Sequence, residues 1–278
     1  MEHKLSSRSA LLLSVILTLS SCTKQENMAE TANQRFIQSM DWNNNHSYRE
    51  IIVTGNDYIL LSMGDSHVGG TNNLDSFLNT AKTKKVAAVV MAGDLTTGQE
   101  KDYKVFEEHL PPQDSLVSFL VAGNHDMFSN GWNKYYSRFG SSSYLFTIKT
   151  PTAADLFICL ETGGGTLGTR QLDWLINLLQ TLRSGYRNCI VITHNNILRT
   201  RHTDSTNPPV EETEVLLELF AKYRVDMVIT GHDHKQDAIV FGITTYIIMD
   251  ALKDGESNAG YFQIRVKNGN IGYEFENF

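Results

Sequence analysis

Five apolar runs in this chain end in residues that can bind a cation or move a proton. LLSMG (60–64) is followed by Asp65-Ser66-His67, VVMAG (89–93) by Asp94, and FLVAG (119–123) by Asn124-His125-Asp126. IVIT (190–193) is followed by His194, and MVITG (227–231) by His232-Asp233-His234. Five of the nine histidines stand at these ends, a placement that chance explains poorly. Each piece alone is weak, since an Asp-x-His is usually a loop pair and a Gly-Asp a turn. The ordered set predicts a dinuclear metal site. Oxygen and nitrogen donors with no thiolate among them leave manganese, iron and zinc all suitable.

Those side chains need a scaffold that brings strand ends together. Continuous apolar runs suit strands covered on both faces, and in α/β sheets the carboxyl edge is where sites form. Strands are expected at 49–54 and 58–63 around Gly55-Asn56-Asp57, read as a hairpin turn. Further strands are expected at 86–93, 115–123, LFTI, LFICLE, NCIVIT and VDMVIT. A helix is predicted at 168–182, where Leu172, Leu175, Ile176 and Leu179 share a face, and another near 211–222. The C-terminal third reads as β, with Asn268-Gly269-Asn270 as a hairpin turn. Ala32, Phe36, Ile37 and Met40 fit one face of a short helix, and Asn43–His46 reads as loop.

The chain has 278 residues, 41% of them hydrophobic, so it can bury a large core without disulfides. Its net charge is −7 and its cations are scattered, which argues against nucleic acid as a partner. Residues 1–21 read as an export signal: Lys4 and Arg8 precede an apolar run, 10–20, too short to span a bilayer. The run ends at Leu19-Ser20-Ser21-Cys22, which resembles a bacterial lipoprotein signal, with lipidated Cys22 as the membrane anchor. An ordinary secretory signal with an incidental Cys22 is the alternative. The resulting division is a signal over 1–21, a tether and short helix over 22–48, and a catalytic domain over 49–278. Cys159 and Cys189 sit in apolar runs and read as buried small hydrophobes; a disulfide between them stays open.

The ordered set resembles the calcineurin-like metallophosphoesterases, whose pattern is Asp-x-His, Gly-Asp, Gly-Asn-His-Asp/Glu, His and Gly-His-x-His. Every element is present, and GTLGTRQLDWL (165–175) also resembles the segment between the third and fourth motifs. The resemblance covers about residues 57 to 250. It implies a four-layer α/β/β/α sandwich. It implies that Asp65, His67, Asp94 and His234 hold one metal, and Asp94, Asn124, His194 and His232 the other. His125 would face the substrate, Asp126 would hold its ring, and Asp233 would point away. Two divalent cations with two carboxylates and a bridging hydroxide keep a surplus of about one positive charge, enough to attract a phosphoester. Neutral Asn124 implies a weaker second site.

The activity so implied is hydrolysis of a small phosphomonoester or phosphodiester outside the cytoplasm. Departures from relatives bear on this. Leu95-Thr96-Thr97 lacks the tyrosine of purple acid phosphatases, and His194-Asn195-Asn196 places a neutral amide where many relatives have a second histidine. The aromatic segment 128–140 and segment 197–209, with Arg199, Arg201 and His202, read either as substrate contacts or as packing and solvated loop. The alternative function is a lipoprotein that binds a metal or phosphate ligand without turnover; it predicts a missing ligand or a missing His125. Oligomeric state is not legible in the sequence.

Overall fold

The computed structural model describes residues 30–46, 49–200 and 207–278. The signal, Cys22, Arg201 and His202 lie outside the described residues. In chain order the elements are α1 (Ala32–Asn45), β1 (Arg49–Ile52), β2 (Tyr58–Met63), α2 (Asn72–Lys84), β3 (Ala88–Ala92), α3 (Glu100–His109) and β4 (Ser118–Val121). Then follow α4 (Gly131–Phe139), β5 (Tyr144–Lys149), β6 (Ala154–Cys159), α5 (Gly168–Leu182), β7 (Cys189–Ile192) and α6 (Val210–Lys222). The chain ends with β8 (Met227–Thr230), β9 (Asp237–Phe241), β10 (Thr244–Ile248), β11 (Gly260–Lys267) and β12 (Asn270–Asn277). Among the described residues no helix is long and apolar enough to cross a membrane.

The strands form two sheets, ordered β1-β5-β6-β7-β8-β10-β9 and β12-β11-β2-β3-β4. The five runs that carry the candidate ligands end β2, β3 and β4 of one sheet and β7 and β8 of the other. Within each sheet these strands are parallel, so their carboxyl ends share an edge. Residues 49–52 and 58–63 are strands, but not a hairpin. β1 pairs parallel with β5 in the larger sheet, while β2 lies in the smaller one. Gly55-Asn56-Asp57 therefore carries the chain from one sheet to the other. Turn residues announce a reversal, and nothing local says which partner a strand will find.

Side-chain alternation builds the layers. Leu60, Val90, Phe119, Phe157, Ile190, Ile229 and Phe262 point between the sheets. Alternate residues of the smaller sheet, such as Leu61, Val89 and Met91, meet Phe77 of α2, Phe106 of α3 and Trp132 of α4. Those of the larger sheet, such as Ile158, Val191 and Val228, meet Leu175 and Leu179 of α5 and Phe220 of α6. This is the expected sandwich of helix, sheet, sheet and helix. The rings of Phe119, Phe146 and Phe157 stack across the inner layer, with centroids 3.6 and 4.7 Å apart, and fasten β4 to β5 and β6. Each such pair adds about 0.5–1.5 kcal/mol beyond the area it buries.

α1 starts at a capping box: Thr31 Oγ1 accepts the Gln34 N–H, and Gln34 Oε1 accepts that of Thr31. It is longer than its sequence suggests, because Asn43–Asn45 continue the helix. Its buried face is Arg35, Phe36 and Ser39, while Ile37 is 41% exposed. Cys159 and Cys189 are free, buried thiols on neighbouring strands. Cys189 pairs in register with Leu156 and Cys159 with Ile192, three residues apart. That is about 10 Å along a strand, beyond the ~7 Å Cα limit for a disulfide.

Candidate metal centre

The loops beyond β2 and β3 are tied by backbone bonds before any side chain acts. Asp65 N–H donates to Gly93 O at 2.9 Å, His67 N–H to Asp94 O at 2.9 Å, and Val68 N–H to Leu95 O at 3.0 Å. Across the sheets, Gly231 N–H donates to His194 O at 3.0 Å. Asp65, His67, Asp94, His232 and His234 all have positive φ, between 40° and 71°. Left-handed backbone is uncommon for non-glycine residues and gathers at functional sites. Here it turns the chain sharply enough to aim successive side chains at one point.

The motif glycines are there because two loops touch. A Cβ on Gly123 would collide with the carboxylate and amide of Asp94, and one on Gly231 with Asp65 Oδ2.

The side chains converge as two lobes around one carboxylate oxygen. In the first, His234 Nε2 is 3.1 Å from Asp65 Oδ1 and 3.2 Å from His67 Nε2. In the second, Asn124 Oδ1 is 3.0 Å from His194 Nε2 and 2.9 Å from His232 Nδ1. Asp94 Oδ2 lies between them, 3.8 Å from His67 Nε2 and 3.4 Å from His194 Nε2. All seven residues expected as ligands are therefore brought together, and the two histidines of GHDH do fall in different lobes. Asp65, Asp94, Asn124, His194 and His232 are buried, while the His234 side chain is 37% exposed.

This donor set fits divalent cations. His194 Nδ1 faces the Ala92 carbonyl at 2.9 Å. A carbonyl only accepts, so Nδ1 carries a proton, and the neutral ring presents its Nε2 lone pair. That lone pair points at Asn124 Oδ1, itself an acceptor. Acceptors aimed at one another are stable when a cation sits among them. Each carboxylate is also oriented by backbone: Asp65 Oδ2 accepts the His232 N–H at 2.8 Å, and Asp94 Oδ1 that of His125 at 2.7 Å. The other oxygen of each is left facing the lobes, as buttressed ligands require.

Proton affinities in the cluster are split. Burial lowers the His67 pKa to about 4, against the pull of Asp94 and Asp65. Burial also opposes charge on His194, but Asp94 beside it carries that pKa up to about 10, so a bound cation would displace a second proton from Nε2. Asp94 is buried too, yet His194, His125 and His67 hold it below the usual carboxylate range.

The His125 side chain is 40% exposed, and its Nε2 stands 3.9 Å from Asp94 Oδ2 at the open rim of the cluster. Its ring is flanked edge-on by His67 and tilted against Phe128, both with centroids 4.5 Å away. Asp126 does not hold that ring. Its carboxylate accepts the backbone N–H groups of Leu95, Thr96 and Gly123, each at 3.0 Å. It is a clamp joining the second and third motif loops. Burial and then the charge of Asp94 push its pKa up to about 7, against those three bonds.

Asp233 turns away as expected, accepting from Asn196 at 3.0 Å and Thr200 at 2.7 Å. Asn195, the neutral amide where many relatives have a second histidine, is fully buried, with Thr162 donating to its Oδ1 at 3.2 Å. Of the aromatic segment, Trp132 and Tyr135 are core residues, and Phe128 reaches the site through His125.

Sequence reasoning missed the Ala92 carbonyl, because a backbone acceptor leaves no residue signature. It also missed Asp254, which accepts from Asn72 and Asn73 N–H at 3.0 and 2.8 Å and caps the helix behind the first motif. The loop Glu161-Thr162-Gly163-Gly164 was missed as well, although it too follows an apolar strand and contains an acid.

Fold and site together define a metal-dependent phosphoesterase. The chain belongs to the calcineurin-like phosphoesterase family, which its sequence matches over residues 60–236, well over half its length. No curated protein matches the chain. Among solved structures it is similar to a dimetal phosphatase from Danio rerio, at TM-score 0.63 and 13% identity, covering 79% of this chain and 96% of that one. It is also similar to GAP50, the anchor in the inner membrane complex of Plasmodium, at TM-score 0.62 and 16% identity, covering 80% and 84%. At such identities the likeness is one of fold.

Proposed function

We propose that the site holds two divalent cations (manganese, iron or zinc) and hydrolyses a small phosphomonoester or phosphodiester. The observation that carries this is the pair of acceptor lobes sharing Asp94 Oδ2, open to solvent on the side where His125 stands. Asp65, His67 and His234 would hold one cation, Asn124, His194 and His232 the other, and Asp94 both. Bound there, the pair supplies positive charge for phosphoryl oxygens and acidifies water for in-line attack.

The chain's own residues do the rest. His125 Nε2 is the donor for the leaving oxygen, within reach of the shared carboxylate and of solvent. Burial lowers its pKa, against the pull of Asp94, so the imidazole is neutral at pH 7 and its Nε2–H gives a hydrogen bond to the leaving oxygen as charge develops. Phe128 and His67 keep that ring from rotating. Asp126 fixes the backbone that carries Asn124 and His125.

Export and attachment to the cell envelope through lipidated Cys22 belong to the same proposal, supported by the apolar run and Leu19-Ser20-Ser21-Cys22. Cys22→Ser would move the protein from the membrane to the soluble fraction; unchanged fractionation counts against the anchor.

The test of activity is turnover of chromogenic mono- and diesters by metal-analysed protein, with and without manganese. Manganese-dependent turnover is expected. A metal-loaded wild type inert toward every phosphate ester would favour the ligand-binding alternative.

A further inference from the structure

We infer that the N-terminal helix braces the second cation lobe, with Arg35 as a positioning residue acting through Glu161. The inference rests on the two-cation reading of the site.

Arg35 Nε donates to Glu161 Oε2 at 2.7 Å, with both side chains almost wholly buried, 2% and 1% exposed. Arg35 Nη1 donates to Glu30 O at 2.6 Å, and Nη2 fills the space a Cβ on Gly164 would need. Glu161 starts a loop just beyond β6, at the edge where the cluster forms. Its backbone is held by Gln171, which accepts from Glu161 N–H at 2.9 Å and donates to Glu161 O at 2.8 Å.

The next two residues reach the carriers of one lobe. Thr162 Oγ1 accepts the Asn195 N–H at 2.9 Å and lies 2.7 Å from Thr193 Oγ1, so it grips both neighbours of His194. Gly163 presses on the carbonyl of Gly123, the residue before Asn124; a Cβ there would lie 2.6 Å from that oxygen. The loop is thus wedged between the backbones of His194 and Asn124. None of these contacts goes to Asp65, His67 or His234.

One detail makes Arg35 indispensable to the wedge. Glu161 Oε1 is buried and has no hydrogen-bond partner among the described residues. The carboxylate depends on a single guanidinium for its compensation. Removing one partner of a buried pair strands the other charge, whereas removing both leaves little to compensate. With Arg35 gone, the loop must open toward water, and Thr162 and Gly163 move with it.

The test is manganese titration of the full-length chain, read by calorimetry and by the spin-coupled paramagnetic signal of two adjacent ions. Wild type, Arg35→Met and Arg35→Met with Glu161→Gln are compared. Wild type should bind two ions. Arg35→Met should lose at least about tenfold in affinity for one ion, the scale for disturbing groups that orient ligands, along with the coupled signal, and keep the other ion. The double variant, in which neither side chain of the pair is charged, should regain both.

Two ions bound by Arg35→Met with wild-type affinities would overturn the brace alone. So would equal weakening of both ions, which marks general destabilisation, or a double variant no better than the single one. A wild type that binds one ion overturns the two-cation reading and the brace with it.

Discussion

Asp94 Oδ1 accepts the backbone N–H of His125 at 2.7 Å, while Oδ2 of the same carboxylate faces both lobes. One side chain therefore fixes the residue proposed to meet substrate and joins the two candidate ligand sets. Asp94→Ala should abolish turnover and lower metal content, because the link between the lobes goes with it. Elemental analysis checks this; retention of two ions per chain would contradict the shared role.

His125 touches the cluster only from the rim. His125→Ala should keep its metal and slow turnover by about 10²–10⁴-fold on substrates with poor leaving groups. Activated esters, whose leaving oxygen needs no proton, should be affected less. Near-normal rates on a poor leaving group would remove His125 from the chemistry.

Gly123 has no room for a methyl group against Asp94. Gly123→Ala should fold, since the site lies beyond the strand ends, but bind manganese about 10–100-fold more weakly. Circular dichroism with metal titration separates the two effects; unchanged affinity would mean that the loops yield freely.

Chelation should destabilise the fold. His194 Nε2 and Asn124 Oδ1, 3.0 Å apart, would share a cation that only the folded chain can hold. Manganese at a hundredfold excess over its dissociation constant stabilises by about 2.7 kcal/mol per ion, or roughly 5–10 °C in Tm for a chain of this size. Calorimetry with and without chelator tests this; equal melting temperatures would argue against resident metal.

Alkali should unfold the protein through its buried acids. Burial pushes the thiols of Cys159 and Cys189 up to about 12 from an ordinary value of 9, and raises the pKa of Tyr58 and Tyr103. Folded-state values above the unfolded ones mean that the native protein holds protons the unfolded chain would release. Stability is therefore intact below about pH 9 and is lost as pH rises toward 12. Both thiols should resist alkylation at pH 8 and react on unfolding. Rapid native labelling of either would contradict their burial.

The candidate ligand residues were legible because each follows an apolar strand, and continuous runs of Val, Ile, Leu and Met read the same whatever sheet they join. α5 was legible to the residue, since Leu172, Leu175 and Leu179 repeat at helical spacing. The partner of β1 was not. Parallel pairing with β5 is a contact between residues about a hundred positions apart, and no local pattern encodes it. α1 was undervalued for a related reason: its buried face contains Arg35 and Ser39, whose burial depends on partners supplied by Glu161 and Ser142.

By itself the sequence determined which side chains could bind cations and that strands would deliver them to one edge. Periodicity and motif order are local properties of a chain, and they survive without a partner in view. Only the tertiary structure decided which imidazole faces which carboxylate, that Asp126 clamps backbone instead of holding a ring, and that Arg35 reaches the loop behind His194. Those choices depend on distances between segments far apart in sequence, which packing of the two sheets and their helices alone sets.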